Sequence, residues 1–486
     1  MLRRNKSLFI LLLLSLTLIL VFSKTYNAVF VDELIYGRWI YKMLFENISF
    51  MFPIYVGKQP IFFWINGLIA DLLKNIPYHN ISILNVLKTT AIINLLVTAF
   101  GISLYLKDKL QKIFIPLAFV LAPFFLIYFS IGTVENLTIP IAILYWYCLS
   151  KLFEYKESKN KKWQYYGATV LLGLMVALTK SNASSILVSS LVIYLIYLLK
   201  NGRKNILEII GLIFSHLVFL FLNLYIAFHF AGTESNNVTS LYPTLNGLFN
   251  NSKNYINYIP YFFSFSFLFI SAVNLIYYVK KRNFDKLINN PTAKILAVNV
   301  IVNAVMLLLL KVYYPRYYLI FFLCLFMFVA VSVKKINFRS LSLFLLLDLT
   351  FVFFPAKIYR WRIPQIDRVQ HFDRSSVHIP YDFKENVLNS NPKAMFLIND
   401  DRYGANNLFF GLIPLSTKAN FQIKVYEDID LLTSKSTCEE NPKSLIYILG
   451  DSSIMKNKDV IHEKLLKSYF TFNKQNSINI YRINCN

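Results

Sequence analysis

The sequence has little charge, little glycine and little cysteine. Only 16% of its 486 residues are charged, against about 25% in an average soluble domain. This shortage argues against a soluble globular chain. With only 14 glycines and no glycine-rich phosphate-cradling motif, nucleotide binding by such a loop is not expected. The 4 cysteines form no Cys/His cluster with the spacing of metal ligands.

The positions of the cysteines divide them into two pairs. Cys148 and Cys324 lie in apolar blocks and are expected to be small core residues. Cys438 and Cys485 both lie in the polar C-terminal region, where they can pair if the compartment is oxidising. The sequence leaves that pairing open.

Long apolar blocks dominate the chain, which is 56% hydrophobic and 17% aromatic. A helix needs about 20 apolar residues to cross the hydrocarbon of a bilayer. The blocks therefore predict a polytopic α-helical membrane protein with about 11 spans. No small-residue cleavage site follows the first block, so we expect it to remain as an uncleaved span. The predicted spans are 7–26, 83–106, 113–130, 134–152, 164–180, 183–199, 206–230, 259–279, 294–311, 317–333 and 340–356.

The positive residues behind the net charge of +24 are concentrated in alternate loops between the apolar blocks. Alternate loops are rich in lysine and arginine, and the positive-inside rule makes these loops cytoplasmic. We therefore expect a cytoplasmic N-terminus, an extracytoplasmic C-terminus and a location in the cell inner (plasma) membrane. No basic helix is interleaved with aromatic residues, so nucleic acid is not an expected partner. The basic loops contain Arg3, Arg4 and Lys6; Lys107, Lys109 and Lys112; Lys151–Lys162; Lys200, Arg203 and Lys204; Lys280, Lys281 and Arg282; and Lys334, Lys335 and Arg339.

Two regions are not expected to span the membrane. The first is the external loop 27–82, whose segments DELIYGRWIYKMLF and PIFFWINGLIADLLK have the pattern of helices lying in the interface. The second is 357–486, which is more polar than the membrane domain 1–356 and has the size of a small domain. Strand-like runs occur at AMFLIND, SLIYILG and INIYRIN, and DVIHEKLLKSYF has a helical pattern. We predict a small extracytoplasmic α/β domain there.

Charged residues gather at the predicted outer ends of the spans. Charges near a membrane are costly, so such a set indicates a functional site. The alternative is that each residue ends a helix or snorkels to the headgroups, and this alternative is strongest for Lys180. Two or three cations can hold a phosphate or pyrophosphate, and a neighbouring carboxylate can accept a proton. The set comprises Asp32, Glu33, Lys58, Glu135, Lys180 and Arg316.

The predicted site faces away from the cytoplasm. Nucleotide-activated sugars are available in the cytoplasm but not on the side that the site faces. A leaving group attached to a membrane lipid would suit that location. Aromatic residues such as Trp64 and Tyr317 accompany the charges and suit a lipid tail or a sugar ring, although an ordinary aromatic belt has the same composition.

Five short segments together resemble a known family. FVDELIYGRWI, GKQPIFFW, SIGTVENL, LTKSN and PRYYL follow one another as in the polyprenyl-phosphate-sugar-dependent glycosyltransferases. This group includes the protein O-mannosyltransferases and the lipid A aminoarabinose transferases. The resemblance covers about residues 1–335 and implies the glycosyltransferase C-type fold.

The resemblance also implies roles for individual residues. Asp32 matches the first acid of the family's acidic pair and is the candidate general base, while Glu33 matches the second acid. Lys58 matches the lysine of a Lys-Pro-Pro box that contacts the donor phosphate. Arg316 and Tyr317 match an Arg-Tyr pair at a late span.

Glu135 lies where the family has an acid in its second outer loop. Two positions depart from the family pattern. Gln59 replaces the first proline of the Lys-Pro-Pro box, and Gly57 stands where the aminoarabinose enzymes often have glutamate. These departures weaken an assignment to the aminoarabinose branch and leave the sugar open.

The implied reaction is an inverting transfer of a sugar from a polyprenyl-phosphate donor to an acceptor. The acceptor is lipid A, core or another envelope glycan, or a protein. No cofactor is demanded, although Asp32, Glu33 and Glu135 would be the ligands if a divalent metal were used. Two other functions stay open, a flippase or transporter of lipid-linked glycans and a ligase that transfers a whole glycan chain.

Overall fold

The structure is a computed structural model that describes the helical part of the chain and several strands near its C-terminus. The described residues are 6–25, 28–45, 48–55, 58–74, 81–130, 132–154, 159–201, 206–229, 256–259, 262–281, 290–309, 315–333, 337–353, 371–373, 395–399, 422–426, 446–451, 463–470 and 477–483.

Fifteen helices are described in these residues, and apolar runs in the sequence form most of them. The first part of the chain contributes α1 (Lys6–Thr25), α2 (Val31–Phe45), α3 (Phe52–Tyr55), α4 (Ile61–Lys74), α5 (Ile83–Leu104), α6 (Gln111–Val120), α7 (Pro123–Ser130) and α8 (Val134–Glu154). The second part contributes α9 (Lys159–Ala177), α10 (Ser184–Asn201), α11 (Ile206–His229), α12 (Phe265–Lys281), α13 (Pro291–Leu309), α14 (Leu319–Ser332) and α15 (Phe338–Phe353).

Several helices have the length and composition of membrane spans. Among the described residues, Ile83–Leu104, Val134–Glu154, Ser181–Leu199 and Ile206–Ala227 satisfy both requirements. The pair α6 and α7 forms a fifth candidate if its two bent halves count as one span. The chain is a multi-pass membrane protein with a helix at each predicted span position, while the total of about 11 spans stays a prediction.

The sequence explains the break between α6 and α7. The two helices meet at an angle of 74°. Pro123 lacks a backbone N–H and cannot continue α6, but it suits the first position of α7. All residues of α7 are buried, so the bent pair lies inside the bundle.

The bundle has two ends, which α8 defines by its first and last turns. Glu135 lies in the first turn, and we call that side the Glu135 end. At the opposite, Glu154 end, the Thr292 hydroxyl at the start of α13 donates to Glu154 Oε1 over 2.9 Å. The Tyr278 hydroxyl near the end of α12 donates over 2.9 Å to the carbonyl of Ser332 in the last turn of α14. Helix α13 therefore starts at the Glu154 end, and α14, which follows it, ends there together with α12.

The predicted helices of the first loop are present as α2 and α4. Tyr36 of α2 packs edge-on against Phe62 of α4 with ring centroids 5.5 Å apart, and Met43 lies beside Gly67. The later residue of α2 thus contacts the later residue of α4, so the two helices run in the same direction. They pack on each other and on α5.

A five-stranded sheet forms in the C-terminal region. Its strands are β3 (Met395–Asn399), β4 (Gln422–Tyr426), β5 (Ile446–Asp451), β6 (Glu463–Phe470) and β7 (Ser477–Ile483), in the order β4-β3-β5-β7-β6. Strand β3 is parallel to β4 and β5, whereas β7 is antiparallel to β5 and β6. The three strand-like runs of the sequence correspond to β3, β5 and β7.

The prediction of a helix at DVIHEKLLKSYF is wrong over its described part. Residues 463–470 form β6, which pairs with β7 along its whole length, with a register shift between Leu465 and Lys467. The apolar spacing of this segment is compatible with a helix, but pairing with β7 gives the segment backbone partners that local pattern does not reveal. An α/β domain at 357–486 stays a prediction, because the described residues there are all in strands.

A second, two-stranded sheet joins distant parts of the chain. Strand β1 (Ala28–Phe30) comes directly before α2 and pairs antiparallel with β2 (His371–Asp373). The start of the first loop is thereby connected to the region after the last helix. Cys438 and Cys485 lie outside the described residues, and the described Cys148 and Cys324 are free thiols.

Candidate active site

Glu135 lies in the first turn of α8 and is almost completely buried, with 2% of its surface exposed. The turn before it is pressed against α5. A Cβ atom added at Gly132 would collide with the Leu87 side chain and lie 3.0 Å from the Leu87 carbonyl carbon. Only glycine fits at position 132 when the backbone lies this close to Leu87. The close contact with α5 fixes where the chain enters α8.

Lys180 comes from the turn that follows α9. The chain leaves the helix after Ala177, and Lys180 has an extended conformation before the 3-10 helix Ser181–Ala183. Its ammonium forms an ion pair and hydrogen bond with Glu135 Oε1. Only 15% of the Lys180 side chain is exposed, so the ammonium is directed inward rather than snorkelling to the headgroups.

Arg316 and Tyr317 lie in the 3-10 helix Pro315–Tyr318, which leads into α14. Tyr318 is fully buried and anchors this short helix, whereas Tyr317 is 38% exposed. The Tyr317 ring centroid is 5.8 Å from the Lys180 Nζ and 5.9 Å from the Arg316 Cζ. Arg316 also acts electrostatically on Glu135. The structure thus brings together four of the residues singled out in the sequence.

Asn223 of α11 braces the turn that carries Lys180. Its side-chain amide donates to the carbonyl of Ala177 over 2.6 Å and to the carbonyl of Lys180 over 3.1 Å. Asn223 is fully buried in α11, a helix that is mostly apolar but also buries His216. The backbone around Lys180 is therefore held by a neighbouring helix as well as by its own turn.

The GKQPIFFW segment docks on the same turn. The Ile61 N–H donates to the Leu178 carbonyl over 3.1 Å. Gln59 is buried, and its amide donates to the Asn223 carbonyl over a long 3.4 Å. Gln59, which departs from the family box, is thus a contact to α11. Lys58, directly before it, is exposed at this end of the bundle.

Trp64 lies in α4, and its indole N–H donates to the carbonyl of Phe50 over 2.7 Å. This bond joins α4 to the preceding part of the loop. The geometry therefore indicates that Trp64 positions the loop, while a direct role in binding stays a prediction.

Asp32 and Glu33 lie in the first turn of α2, and their side chains are outside the described part of the chain. The backbone still places them. Helices α2 and α4 run in parallel, and Tyr36 of α2 packs on Phe62 of α4. The residues one helical turn before Tyr36 therefore lie at the same level as the residues just before α4. The acidic pair therefore lies at the level of Lys58, at the Glu135 end of the bundle.

The arrangement supplies three chemical functions at one end of the helices. An internal Glu135–Lys180 pair orients the segments, Arg316 and Lys58 add cationic donors, and the first turn of α2 adds two acids. Guanidinium and ammonium groups are the side chains that bind phosphate oxygens. The sequence did not reveal Asn223, Gly132 or the contact that Gln59 makes with α11. A lone asparagine within the apolar block of α11 was the available signal for one of them.

Two solved structures share this architecture, both of ArnT from Cupriavidus metallidurans. The one bound to undecaprenyl phosphate has a TM-score of 0.58 at 10% sequence identity, with 98% of this chain and 98% of that chain covered. The apo state has a TM-score of 0.54 at 10% identity, with 97% of each chain covered. This chain has the glycosyltransferase C-type fold.

Of the comparisons with known proteins, the structural one identifies the glycosyltransferase C-type fold. No protein-family model matches the chain, and no curated protein matches it in sequence. The structural match extends beyond the residues 1–335 that carry the resemblance in sequence, since it covers nearly the whole of both chains. The expectation of this fold, drawn from five short segments, is confirmed.

Proposed function

We propose that this protein is a glycosyltransferase that moves a sugar from a polyprenyl-phosphate donor to an acceptor at the membrane surface. The observation that carries the proposal is the cluster of Glu135, Lys180, Arg316 and Tyr317 at one end of a glycosyltransferase C-type bundle. It lies beside the segment that presents Lys58.

The comparison supports the class of donor. The ArnT structure with this fold is bound to undecaprenyl phosphate, a polyprenyl phosphate. In the present chain the lipid phosphate would be contacted by Lys58 and Arg316. The Lys180 charge is balanced by Glu135, so we assign to Lys180 the placement of the Tyr317 ring and of its own turn rather than the main phosphate contact.

Asp32 is proposed as the general base, with Glu33 beside it. An acceptor hydroxyl oxygen forms a bond with the anomeric carbon while the bond from that carbon to the phosphate oxygen breaks. The hydroxyl proton passes to the Asp32 carboxylate, and the polyprenyl phosphate leaves with the bonding electrons. Cations placed against the departing phosphate stabilise the charge that grows in the transition state.

The proposal includes a setting for the reaction. The site faces the extracytoplasmic side of the cell inner membrane in a chain of about 11 spans with a cytoplasmic N-terminus. The C-terminal sheet belongs to an extracytoplasmic domain that faces the acceptor. Lipid A, core, another envelope glycan and a protein are the candidate acceptors, and no cofactor takes part.

The test is mass spectrometry of envelope glycolipids and glycoproteins from a deletion strain carrying wild type, Asp32→Ala or Asp71→Ala. Asp71 is a matched control, because it lies on α4 in the same loop and its carboxylate is 2.5 Å from the half-buried Lys74 ammonium. We expect one sugar to be lost from one species in the deletion strain and in Asp32→Ala, and to return with wild type and Asp71→Ala. Normal sugar transfer with Asp32→Ala at wild-type protein levels would refute the assignment of the base.

A transporter would give a different result in the same strains. Lipid-linked sugar would accumulate on the cytoplasmic side, while isolated membranes supplied with donor on both sides would still transfer the sugar. A ligase would remove a whole glycan chain from the acceptor instead of a single sugar.

A further inference from the structure

A groove lies between α10 and α13, at the Glu154 end of the bundle. Its volume is about 180 Å³. An apolar cavity of about 150 Å³ is enough to hold a benzene molecule, so the groove has room for a segment of a hydrocarbon chain. The residues that line it include Ile193, Ile196, Tyr197, Lys294, Ile295 and Val298.

The groove is separate from the candidate active site. Its Lys294 comes just after Thr292, which is hydrogen-bonded to Glu154 in the last turn of α8. Glu135, in the first turn of the same helix, is 19 residues away, about 28 Å at the rise of an α-helix. A headgroup held at Lys294 is therefore not the phosphate of a donor bound at the candidate active site.

The surface around the groove is apolar and faces outward. Ile196 is 41% exposed and Leu199 is 85% exposed on α10, and the hydrophobic length of that helix is that of a membrane span. Exposed apolar side chains on such helices contact lipid. The groove therefore opens to the bilayer, and its occupant is expected to come from there.

One face of α13 has the polarity pattern of a lipid. Lys294, Val298, Ile301 and Val305 follow at intervals of four, three and four residues, which places them on one side of the helix. Lys294 is exposed at the end of the span, while Ile301 and Val305 are 62% and 51% exposed further along it. A cation at the interface is thus followed by an apolar stripe, and the whole face from Lys294 to Val305 is about 16 Å long at 1.5 Å per residue.

We propose that this groove binds an anionic phospholipid, with its phosphate against the Lys294 ammonium and an acyl chain along Val298, Ile301 and Val305. The Lys294 ammonium is exposed and, within the described residues, forms no ion pair. Tyr197 closes the groove on the other side, where its ring stacks on Phe153 at 3.8 Å between centroids. Basic grooves between spans near the cytoplasmic surface are recognised by anionic headgroups.

The proposal is tested by native mass spectrometry of the delipidated full-length protein titrated with phosphatidylglycerol or phosphatidylcholine of identical acyl chains. We expect wild type to prefer phosphatidylglycerol. Lys294→Gln should lower the affinity for phosphatidylglycerol about fivefold and leave that for phosphatidylcholine unchanged, since one basic residue near an anionic surface contributes about 1 kcal/mol. Lys294→Arg should bind like wild type.

Two further variants separate this groove from charge in general. Lys280→Gln removes an exposed lysine from the same end of the bundle, on α12, and should change the affinity little. Val298→Trp fills the groove while keeping Lys294, and should weaken binding of both lipids. An unchanged affinity in Lys294→Gln, or an equal loss in Lys280→Gln, would overturn the proposal.

Discussion

The pairing of Glu135 with Lys180 determines the chemistry of the residues around it. A carboxylate with 2% exposure is costly unless an opposite charge accompanies it, and here a lysine from another helix supplies that charge. The pair is neutral as a whole. We therefore expect the pair to hold its two segments together, with the Tyr317 ring 5.8 Å from the Lys180 Nζ, rather than to bind a phosphate.

The losses of stability from breaking this pair at each partner should not add. We expect Lys180→Met to lower the free energy of unfolding by about 3–5 kcal/mol, because it leaves a buried carboxylate unpaired. Glu135→Gln should lower it by a similar amount. The double variant should lose clearly less than the sum of the two, as measured by the apparent Tm in detergent. Additive losses would show that the two side chains do not interact.

Arg316 is expected to need its guanidinium rather than only a positive charge. Arg316→Lys keeps the charge but removes the planar donors that match phosphate oxygens. We expect the affinity for undecaprenyl phosphate to fall about tenfold or more, since a hydrogen bond to a charged group contributes about 1.5–3 kcal/mol. Arg339→Lys, an exposed arginine at the start of α15, is the control and should bind normally. Equal affinities in all three proteins would exclude Arg316 from the phosphate site.

At the scale of elements, the site depends on how closely α8 and its preceding turn approach α5. Gly132→Ala should destabilise the protein, because the added Cβ would meet the Leu87 side chain and backbone. Gly167→Ala in α9 is the matched control, with nothing within 4 Å of the added Cβ, and the gain in helix propensity should make it neutral or slightly stabilising. The readout is the apparent Tm of both variants. A wild-type Tm for Gly132→Ala would show that α5 moves to accommodate the added Cβ with little loss of stability.

The turn between α9 and α10 should loosen when its brace is removed. Asn223→Leu leaves the Ala177 and Lys180 carbonyls without the amide that α11 supplies, whereas Asn303→Leu removes only a bond to Asn299 within α13. We expect Asn223→Leu to raise the rate of backbone hydrogen exchange at residues 178–183, and Asn303→Leu to leave that rate unchanged. The same protection of this turn in both variants would contradict a bracing role for Asn223.

The local sequence pattern was enough to locate the helices but not to predict the contacts between them. The apolar blocks predicted a helix at each span position because lipid offers the backbone no hydrogen-bond partners. An apolar segment of this length satisfies its own backbone groups by forming a helix. The same reasoning from local pattern gave a wrong helix at 463–470, where an open edge of the sheet determines the conformation. The contacts that Gln59 and Asn223 make between elements were missed because their partners are distant in sequence.

The candidate site was predictable in part. Glu135, Lys180, Arg316 and Tyr317 were singled out from their sidedness and order along the sequence, and the structure places them together. Their arrangement was not predictable. Nothing in the local sequence indicates that Lys180 turns inward to Glu135, because that depends on where the turn after α9 meets the first turn of α8.

At the scale of the whole molecule, the β1–β2 pair connects the first loop to the region after the last helix. Val29 faces Phe372 directly across this ladder. We expect a protein without its native cysteines to form a disulfide when both positions become cysteine, since cross-strand partners are close enough for one. Val29→Cys with His371→Cys is the control, because successive side chains of a strand point to opposite faces. Peptide mass spectrometry identifies the link, and equal linking in both would contradict the register.

The β1–β2 pair also affects the order in which the protein is made. Strand β1 directly precedes α2, the helix of Asp32 and Glu33, but its partner β2 is about 340 residues further along the chain. At a synthesis rate of about 5–20 residues per second, roughly 20–70 s separate the two strands. The β1–β2 pair therefore forms only after the helical bundle has been synthesised, and a nascent chain that stops before His371 contains the residues of the candidate site without this pairing at the start of the first loop.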